Sequence, residues 1–180
     1  MLEDQRFLRR LRGGDKDALR RIYEKYIDDL LRVAISLLYD IQAAEDCLHD
    51  VFVNFGGSVD ELRACRNIKK YLVSCVANRA RDVLRKKATQ VDCQGEQSVL
   101  PEISNNPVNQ LIAAEESARV FSSLTELPYQ QREVFVLHAQ GGLKFREIAD
   151  LLGISVNTVQ SRYRYGVQKL REVLEKGEQE

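Results

Sequence analysis

The sequence LKFREIADLLGISVNTVQSRYRYGVQKLREVL, residues 143–174, has apolar side chains at helical spacing on both sides of Gly153. Gly153 is suited to ending a first helix, and Ser155 to capping a second one. The apolar positions are Phe145, Ile148, Ala149 and Leu152, followed by Val156, Val159, Tyr163, Val167, Leu170 and Leu174. Two amphipathic helices joined by a short turn with a glycine predict a helix-turn-helix, whose second helix can enter the major groove of DNA.

The outer face of the second helix has the side chains that a DNA-reading helix needs. Amides and hydroxyls hydrogen-bond base edges, while flanking cations contact phosphates. These residues are Asn157, Thr158, Ser161, Tyr165 and Gln168, flanked by Arg162, Arg164 and Lys169. A solvated face of an ordinary helical bundle is the alternative. DNA binding is favoured because residues 155–171 contain no carboxylate.

Length and composition suggest how the chain is divided. Its 180 residues are enough for one ordinary domain or two small ones, with 27 Lys+Arg balanced by 27 Asp+Glu. Residues 89–106 contain no lysine or arginine but include a glycine, a proline and many polar side chains, which is typical of a flexible linker. The sequence therefore predicts one domain at 1–88 and a second at 107–180.

Several classes of function are disfavoured by the residues present. The four cysteines are widely spaced and only two histidines accompany them, so we expect no metal site. There is no glycine-rich phosphate loop and no spacing of a catalytic triad, so we expect no enzyme activity and no cofactor. The charged N-terminus and the absence of a long apolar segment predict a soluble, cytoplasmic protein without membrane insertion.

Helical periodicity continues through the rest of the chain and predicts an all-α fold without strands. Expected helices lie at residues 4–11, 15–39, 40–57, 68–87, 107–124 and 130–139, in addition to the two of the helix-turn-helix. Residues 58–67 are expected to form a polar loop or short helical turn.

The helix at 40–57 has an unusual outer face. Its apolar stripe leaves Asp46, Asp50 and Val53 together on the opposite side, at spacings of four and three residues. Two aspartates one turn apart repel each other, and an exposed valine gains nothing in a monomer. From the pattern alone, a solvated acidic face and a site for a partner protein remain equally good interpretations.

The helix at 68–87 is basic and amphipathic. Its outer line contains Ser74, Asn78, Arg81 and Arg85, with further lysines at both ends. Such a face suits contact with phosphates and bases, although solubility alone also explains it. Arg79 falls within the apolar stripe, and we expect it to extend to the surface or pair with a carboxylate.

Three motifs, taken in order, match one known family. They are AEDCLHDVFVNF at 44–55, IKKYLVSCVANRARDVLRKK at 68–87, and LPYQQREVFVLHAQGGLKFREIADLLGISVNTVQSRYRYGVQKLREVL at 127–174. The chain resembles the small two-domain bacterial sigma factors of the sigma-70 type, the extracytoplasmic function (ECF) group. The resemblance implies two helical domains, the second a winged-helix-like helix-turn-helix domain, and a role in transcription initiation at promoters.

The resemblance also implies partners and residue roles. The partners would be core RNA polymerase, through its β′ clamp helices and β flap, promoter DNA, and an anti-sigma factor or other inhibitor. Core-polymerase contacts would fall to Asp46, Asp50, Phe52 and Val53. Contacts with the −10 element would fall to Asn78, Arg81, Arg85, Lys86 and Lys87, while Asp82 is as well explained by a structural role. Contacts with the −35 element would fall to Ser155, Asn157, Thr158, Gln160, Ser161, Arg162, Arg164 and Tyr165.

Some positions depart from the family pattern. Lys144 stands where the family usually has Ser or Thr, so the first helix of the motif lacks a side-chain cap worth about 1 kcal/mol. Tyr165, Gly166 and Gln160 stand where Arg, Ala and Lys are common, which removes positive charge from the DNA face. We therefore expect a weaker phosphate contact or a different −35 sequence.

Two other functions compete with this interpretation. A stand-alone helix-turn-helix regulator would explain the C-terminal domain but leaves the acidic face and the basic helix without a role. A metal-dependent nuclease would use the aspartates as ligands, but no cluster of carboxylates from different segments is evident in the sequence.

Overall fold

The computed structural model describes residues 2–12, 15–57, 67–94 and 123–176. Within these ranges the regular elements are helices, and no strand occurs. The helices are α1 (Leu2–Arg12), α2 (Lys16–Leu38), α3 (Ile41–Gly57), α4 (Ile68–Gln94), α5 (Tyr129–Ala139), α6 (Phe145–Leu152) and α7 (Val156–Lys176). The residues outside the described ranges include 58–66 of the expected loop, 95–106 of the expected linker and all but the end of the helix expected at 107–124.

Helix α2 is the centre of the N-terminal domain. The Asp15 side chain accepts a hydrogen bond from the backbone N–H of Asp17, as expected for the N-cap. The helix packs against α1, α3 and α4, and Ile22, Leu30 and Leu37 are completely buried. Burying such side chains is worth about 1.5–3 kcal/mol each, so this packing stabilises the domain and fixes the directions of α3 and α4.

Helix α2 ends at an unusual residue. Tyr39 has φ 53° and ψ 25°, in the left-handed region, and its N–H donates to the carbonyl oxygen of Ile35. Glycine is the usual residue there, because a side chain in this region costs about 1 kcal/mol or more. Asp40 then accepts from the backbone N–H of Ala43 at 3.0 Å and begins α3.

Helix α1 is held on α2 by a buried carboxylate. Asp4 Oδ1 accepts hydrogen bonds from Tyr26 Oη at 2.7 Å and from Lys25 Nζ at 2.9 Å. Burial by itself would raise the pKa of Asp4, but the hydrogen bonds from Tyr26 and Lys25 outweigh it, and the pKa is lowered. Leu8 and Leu11 complete the contact with buried apolar area.

Helix α4 continues to Gln94, beyond residue 88, where the sequence suggested that the domain ends. No glycine or proline occurs between residues 88 and 94, and Thr89 Oγ1 donates to the carbonyl oxygen of Arg85 at 3.0 Å within the helix. The composition of residues 89–94 suggested a linker because most of them are polar, but polar residues also occur within helices.

The helix-turn-helix has the predicted geometry. Gly153 lies at φ 66° and ends α6, while Ser155 Oγ accepts from the N–H of Thr158 at 3.0 Å and caps α7.

The N-cap of α6 is Lys144, whose side chain has no acceptor for a backbone N–H, as expected. Glu147 Oε2 nevertheless accepts the N–H of Lys144 at 2.6 Å, which completes the reciprocal half of a capping box. The described residues add no wing to this motif, since they contain no strand.

The two domains pack against each other through α5. This helix contacts α2 and α4 of the N-terminal domain as well as α6 and α7 of its own. Gly141, which follows α5, makes the close approach possible, because a Cβ there would lie 2.7 Å from Val73 Cγ1 of α4 and 2.7 Å from the Leu137 carbonyl oxygen. The helix-turn-helix is thereby set beside the basic helix α4.

Candidate functional site

The acidic face of α3 is only partly available to a partner. Asp46 is exposed and accepts from Gln42 Nε2 at 3.4 Å, and Val53 is 60% exposed. Asp50 is instead paired with Arg79 of α4, the pairing with a carboxylate that we expected for this arginine. The structure therefore gives Asp50 a structural contact that the sequence pattern did not show.

An apolar groove lies next to this face, between α2 and α3. It encloses about 510 Å³ and has Phe52 and Val53 on one wall and Tyr23 and Ile27 on the other. Phe52 is only 7% exposed, and its ring meets that of Tyr23 edge to face at 4.9 Å. Tyr23 is 44% exposed because it stands at the rim of the groove. An exposed apolar rim of this kind suits an apolar side chain of a partner.

Of the five α4 residues expected to contact the −10 element, four are exposed and Arg81 is partly buried. Asn78, Arg85, Lys86 and Lys87 are exposed, with Arg85 pairing to Asp82 at 2.9 Å and Lys87 to Asp40 at 3.0 Å. Ion pairs at such exposed positions contribute about 0–1 kcal/mol, so these cations remain available to DNA phosphates. The exposed pair of Asp82 with Arg85 leaves both the structural and the functional interpretation of Asp82 open.

Arg81 differs from its neighbours on α4. Its Nε lies 3.2 Å from Glu133 Oε1 of α5, and its guanidinium also donates to Asn78. Glu133 is 4% exposed and accepts from Tyr129 Oη at 3.1 Å. Burial raises the pKa of Glu133, while the charges of Arg81 and Arg162 and the hydrogen bond from Tyr129 act in the opposite direction. One buried carboxylate thus attracts an arginine from the basic helix and another from α7.

The face of α7 that the sequence assigns to DNA is open. Ser155, Asn157, Gln160, Arg164 and Tyr165 are exposed, and Thr158, Ser161 and Arg162 are half-buried. Tyr165 is 53% exposed, and the Arg164 guanidinium lies 5.3 Å from the centre of its ring. Ser155 and Thr158 are hydrogen-bonded to each other at 2.8 Å within the cap, so the cap positions their hydroxyl groups.

An aromatic cluster packs against the side of α7 that faces α5 and α6. Tyr163 stacks on Phe135 with ring centres 6.0 Å apart and lies 4.9 Å from the ring of His138. His138 Nδ1 is 2.8 Å from the carbonyl oxygen of Leu143, and its ring lies 4.4 Å from that of Phe145. These contacts join α5, α6 and α7 and fix the angle at which α7 presents its outer face.

Further contacts join the two domains. Lys70 Nζ of α4 lies 2.7 Å from Glu147 Oε2 of α6, and Ser36 Oγ of α2 donates to Gln140 Oε1 at 3.0 Å. Arg132 of α5 donates to the carbonyl oxygen of Leu37 at 3.3 Å, with its guanidinium 4.2 Å from the centre of the Tyr39 ring.

Sequence reasoning missed the buried charges of α5. A signal was present, since Glu133 lies on the same helical stripe as the buried residues Val134 and Leu137, where a carboxylate is out of place. Its partner could not have been inferred, because Arg81 is distant in sequence and lies on a face that also suits solvent.

The remaining chemistry of the described residues is limited. They contain no group of three or more His, Cys, Asp or Glu side chains able to hold a metal ion. Burial raises the pKa of the Cys47 thiol to about 12, which keeps it protonated and unreactive at neutral pH. Among the helices described here, none is long and apolar enough to cross a bilayer.

Comparison with protein families identifies both halves of the chain. Residues 22–90 match the family model "Sigma-70 region 2", and residues 118–170 match "Sigma-70, region 4". Together the two matched ranges cover more than half of the 180 residues. The first range contains the acidic face of α3 and most of the basic helix α4, and the second contains the helix-turn-helix.

Two curated relatives are similar over nearly their whole length. The chain is 25% identical to the ECF RNA polymerase sigma factor SigW of Bacillus subtilis over 182 residues, covering 93% of this chain and 94% of SigW. It is 27% identical to the RNA polymerase sigma factor CnrH of Cupriavidus metallidurans, covering 91% of this chain and 90% of CnrH.

Solved structures show the same fold. The sigma factor RpoE of Bartonella quintana, in complex with the anti-sigma factor NepR, superposes with a TM-score of 0.69 at 22% identity, over 87% of this chain and 96% of RpoE. CnrH in complex with the cytosolic domain of CnrY also gives 0.69, at 24% identity, over 96% of this chain and 97% of CnrH. From its two matched regions and these relatives, we conclude that the chain belongs to the sigma-70 family of RNA polymerase sigma factors, as a member of the ECF group.

Proposed function

We propose that this sigma factor docks on core RNA polymerase through the α3 face, contacts the −10 element with α4 and reads the −35 element with α7. The observation that supports this most strongly is the combination, in one chain, of a partner face and two separate cationic helices. Two weak DNA contacts gain effective concentration when a third partner holds them along one promoter. The family directs transcription initiation at promoters, and the proposal assigns that activity to particular residues.

The proposed polymerase contact is formed by Asp46, Val53 and the groove edge of Phe52. Asp46 offers a carboxylate to cations of the β′ clamp helices, while Val53 and the adjacent groove accept an apolar side chain. Asp50 contributes less directly, since its pair with Arg79 must be shared or exchanged when polymerase binds. The resemblance further implies that the C-terminal domain contacts the β flap.

The proposed DNA contacts differ between the two helices. On α4, Asn78 can hydrogen-bond a base, while Arg81, Arg85, Lys86 and Lys87 neutralise phosphates of the opened strands. On α7, Asn157, Gln160, Ser161 and Tyr165 face bases, whereas Arg162 and Arg164 flank them. Ser155 and Thr158 present the start of the helix to a phosphate.

Promoter melting in this proposal needs no catalytic group. Unstacking a base costs a few kcal/mol, and a protein that holds the unstacked base shifts the equilibrium toward the open duplex. Sigma factors are generally not enzymes, and we propose that this chain acts by binding alone, without a cofactor.

An inhibitory partner is part of the proposal. Two similar structures are titled as complexes of a sigma factor with NepR and with the cytosolic domain of CnrY, and the first of these titles names an anti-sigma factor. We propose that a protein of this kind holds the chain inactive in the cytoplasm until it is released.

Binding to purified core RNA polymerase tests the proposal. The best variant is Asp46→Arg, because Asp50→Arg would also place a cation against Arg79 and disturb the fold. We expect Asp46→Arg to weaken binding by about tenfold or more, a typical consequence of reversing a charge at an electrostatic interface. Asp28→Arg is the matched control, since Asp28 is an exposed aspartate on α2 outside this face.

Three results are informative in this experiment. Affinity lost in Asp46→Arg and retained in Asp28→Arg supports the interface. Equal affinity of the wild type and Asp46→Arg contradicts the assignment of the α3 face. Absence of binding by the folded wild-type chain, together with sequence-specific binding to duplex DNA, favours a stand-alone regulator.

A further inference from the structure

Val156 is an exposed apolar residue in the first turn of α7. The sequence pattern groups it with the apolar stripe of this helix, yet it is 37% exposed. Val159, three residues later in the same stripe, is completely buried. The first turn of α7 therefore contributes one valine to the core and leaves the other at the surface.

The backbone on both sides of Val156 is fixed. Ser155 Oγ accepts from the N–H of Thr158 at 3.0 Å, and the two hydroxyl groups lie 2.8 Å apart. Ile154, immediately before this cap, packs against the core. A β-branched side chain in a helix also has one strongly preferred χ1 rotamer. The two methyl groups of Val156 are thus held in one direction, and a partner that contacts them loses little to side-chain ordering.

Val156 lies beside residues that are proposed to read DNA. A recognition helix contacts base edges mainly with residues near its N-terminus. Asn157, next in sequence, and Gln160, one turn later on the same side, are exposed and belong to the proposed −35 contacts. Every residue of that proposed set has a hydrogen-bonding side chain. Val156 adds to them a side chain that has neither a donor nor an acceptor.

The major groove presents one methyl group among its base edges. Guanine, adenine and cytosine present acceptors or amines there, whereas thymine presents a C5 methyl group beside its O4 acceptor. An apolar side chain that covers a donor or an acceptor leaves this group without a hydrogen-bond partner, which costs free energy. A valine in the groove therefore favours thymine by apolar contact and disfavours a base whose polar group it would cover.

We propose that Val156 is a specificity-determining residue of the −35 contact, which selects a thymine by packing its methyl groups against the C5 methyl group of that base. This inference rests on the proposed function of α7 as the reader of the −35 element. Such a contact adds selectivity without adding charge. It does so on a face where Gln160 and Tyr165 stand in place of the common Lys and Arg.

A change in the DNA alone tests the contact. Deoxyuridine lacks the C5 methyl group of thymidine and keeps the same hydrogen-bonding edge, so replacing dT by dU deletes the proposed contact without altering the protein. The holoenzyme, assembled from core RNA polymerase and the full-length chain, first enriches duplex fragments from a pool randomised over the −35 and −10 elements. Each thymine of the enriched −35 element, on either strand, is then replaced singly, and the affinity of the holoenzyme is measured.

The expected result in the wild type includes a loss at the thymine that Val156 contacts. Removing one methyl group from an apolar contact should weaken binding there by about fourfold. The loss should depend on Val156, which distinguishes it from an effect of the methyl group on the DNA itself.

Val156→Ala completes a double-mutant cycle with the DNA change. It removes methyl groups from an exposed position, so the fold should be retained. We expect it to weaken binding to the thymine-containing element by about fourfold or more, and to abolish the further loss from dT to dU at that one position. Val167→Ala is the matched control, since Val167 lies about three turns later on α7 and outside the proposed DNA contacts. It should respond to dU as the wild type does.

The possible outcomes separate this inference from the proposed function. A loss at one −35 thymine in the wild type and Val167→Ala, absent in Val156→Ala, supports the contact. An enriched −35 element without a thymine on either strand overturns it, as do equal responses of the wild type and Val156→Ala at every thymine, while α7 remains the −35 reader in both cases. A chain that does not assemble with core polymerase, or a holoenzyme that enriches no −35 sequence, overturns the proposed function and with it the role of Val156.

Discussion

Asp50 shows how one side chain takes part in both the fold and the proposed interface. Its carboxylate is paired with Arg79, which ties α3 to α4, yet it lies beside the exposed residues Asp46 and Val53. A partner cation that approaches Asp50 competes with Arg79 for the same oxygen atoms. The α3 face is thus linked by one ion pair to the helix proposed to contact the −10 element.

The buried carboxylate of Asp4 gives a prediction about stability and pH. Its pKa in the folded protein lies below the ordinary value of 3.8, so the unfolded chain takes up a proton first as the pH falls. We expect Asp4→Asn to lower the free energy of unfolding by about 1–3 kcal/mol at neutral pH. This difference should disappear as the pH falls from about 3.8 through the folded pKa. Urea unfolding of both proteins at several pH values measures it, and a difference independent of pH would contradict the role of the charge.

Tyr165 gives a prediction about promoter choice. The side chain is exposed on the outer face of α7, beside Arg164, where it can reach base edges or stack. We expect Tyr165→Arg to change the use of −35 variants by about 1–3 kcal/mol in selectivity and to leave −10 variants unaffected. Transcription from a matrix of promoters changed at one element at a time provides the measurement. Equal effects at both elements would contradict the placement of α7.

At the scale of helices, the apolar pattern was sufficient to predict most of the observed architecture. Positions of α1, α2, α3 and the helix-turn-helix follow from periodicity, and the caps at Asp15 and Ser155 follow from residue type. The predicted end of α4 was wrong by several residues because a polar composition does not distinguish a linker from the end of a helix. Which helices from different domains touch was not predicted, since Arg81, the partner of Glu133, lies on a face of α4 that also suits solvent.

Two glycines of the helix-turn-helix should respond in opposite ways to alanine. A Cβ at Gly166 within α7 would meet its nearest neighbour, Gln131 Cβ, at 3.6 Å, which is an ordinary contact. We therefore expect Gly166→Ala to raise the free energy of unfolding by about 0.5–1 kcal/mol.

Gly153 is the matched comparison. Its φ of 66° disfavours any side chain, although the surrounding space is open. We expect Gly153→Ala to lower the free energy of unfolding by about 1 kcal/mol or more. Thermal unfolding of the two variants beside the wild type measures both changes, and a shift in the same direction for both would contradict this account of the backbone.

At the scale of the whole molecule, docking makes the two domains depend on each other. Helix α5 shares contacts with α2 and α4, so loss of either domain exposes residues buried by the other. We expect the wild-type chain to unfold in one calorimetric transition, and Arg132→Met to unfold in two. Arg20→Met should behave like the wild type. Two resolved transitions in the wild type would contradict energetic coupling between the domains.

Two opposing requirements act on the residue at position 39, which is Tyr39 in this chain. Glycine at this position would relieve the left-handed backbone, yet it would also remove the ring on which Arg132 rests. At this position, the substitution that stabilises the N-terminal domain by itself therefore also weakens its contact with the C-terminal domain. Selection for stability of the N-terminal domain alone would favour glycine here, whereas selection for contact between the two domains keeps the aromatic ring despite its strained backbone.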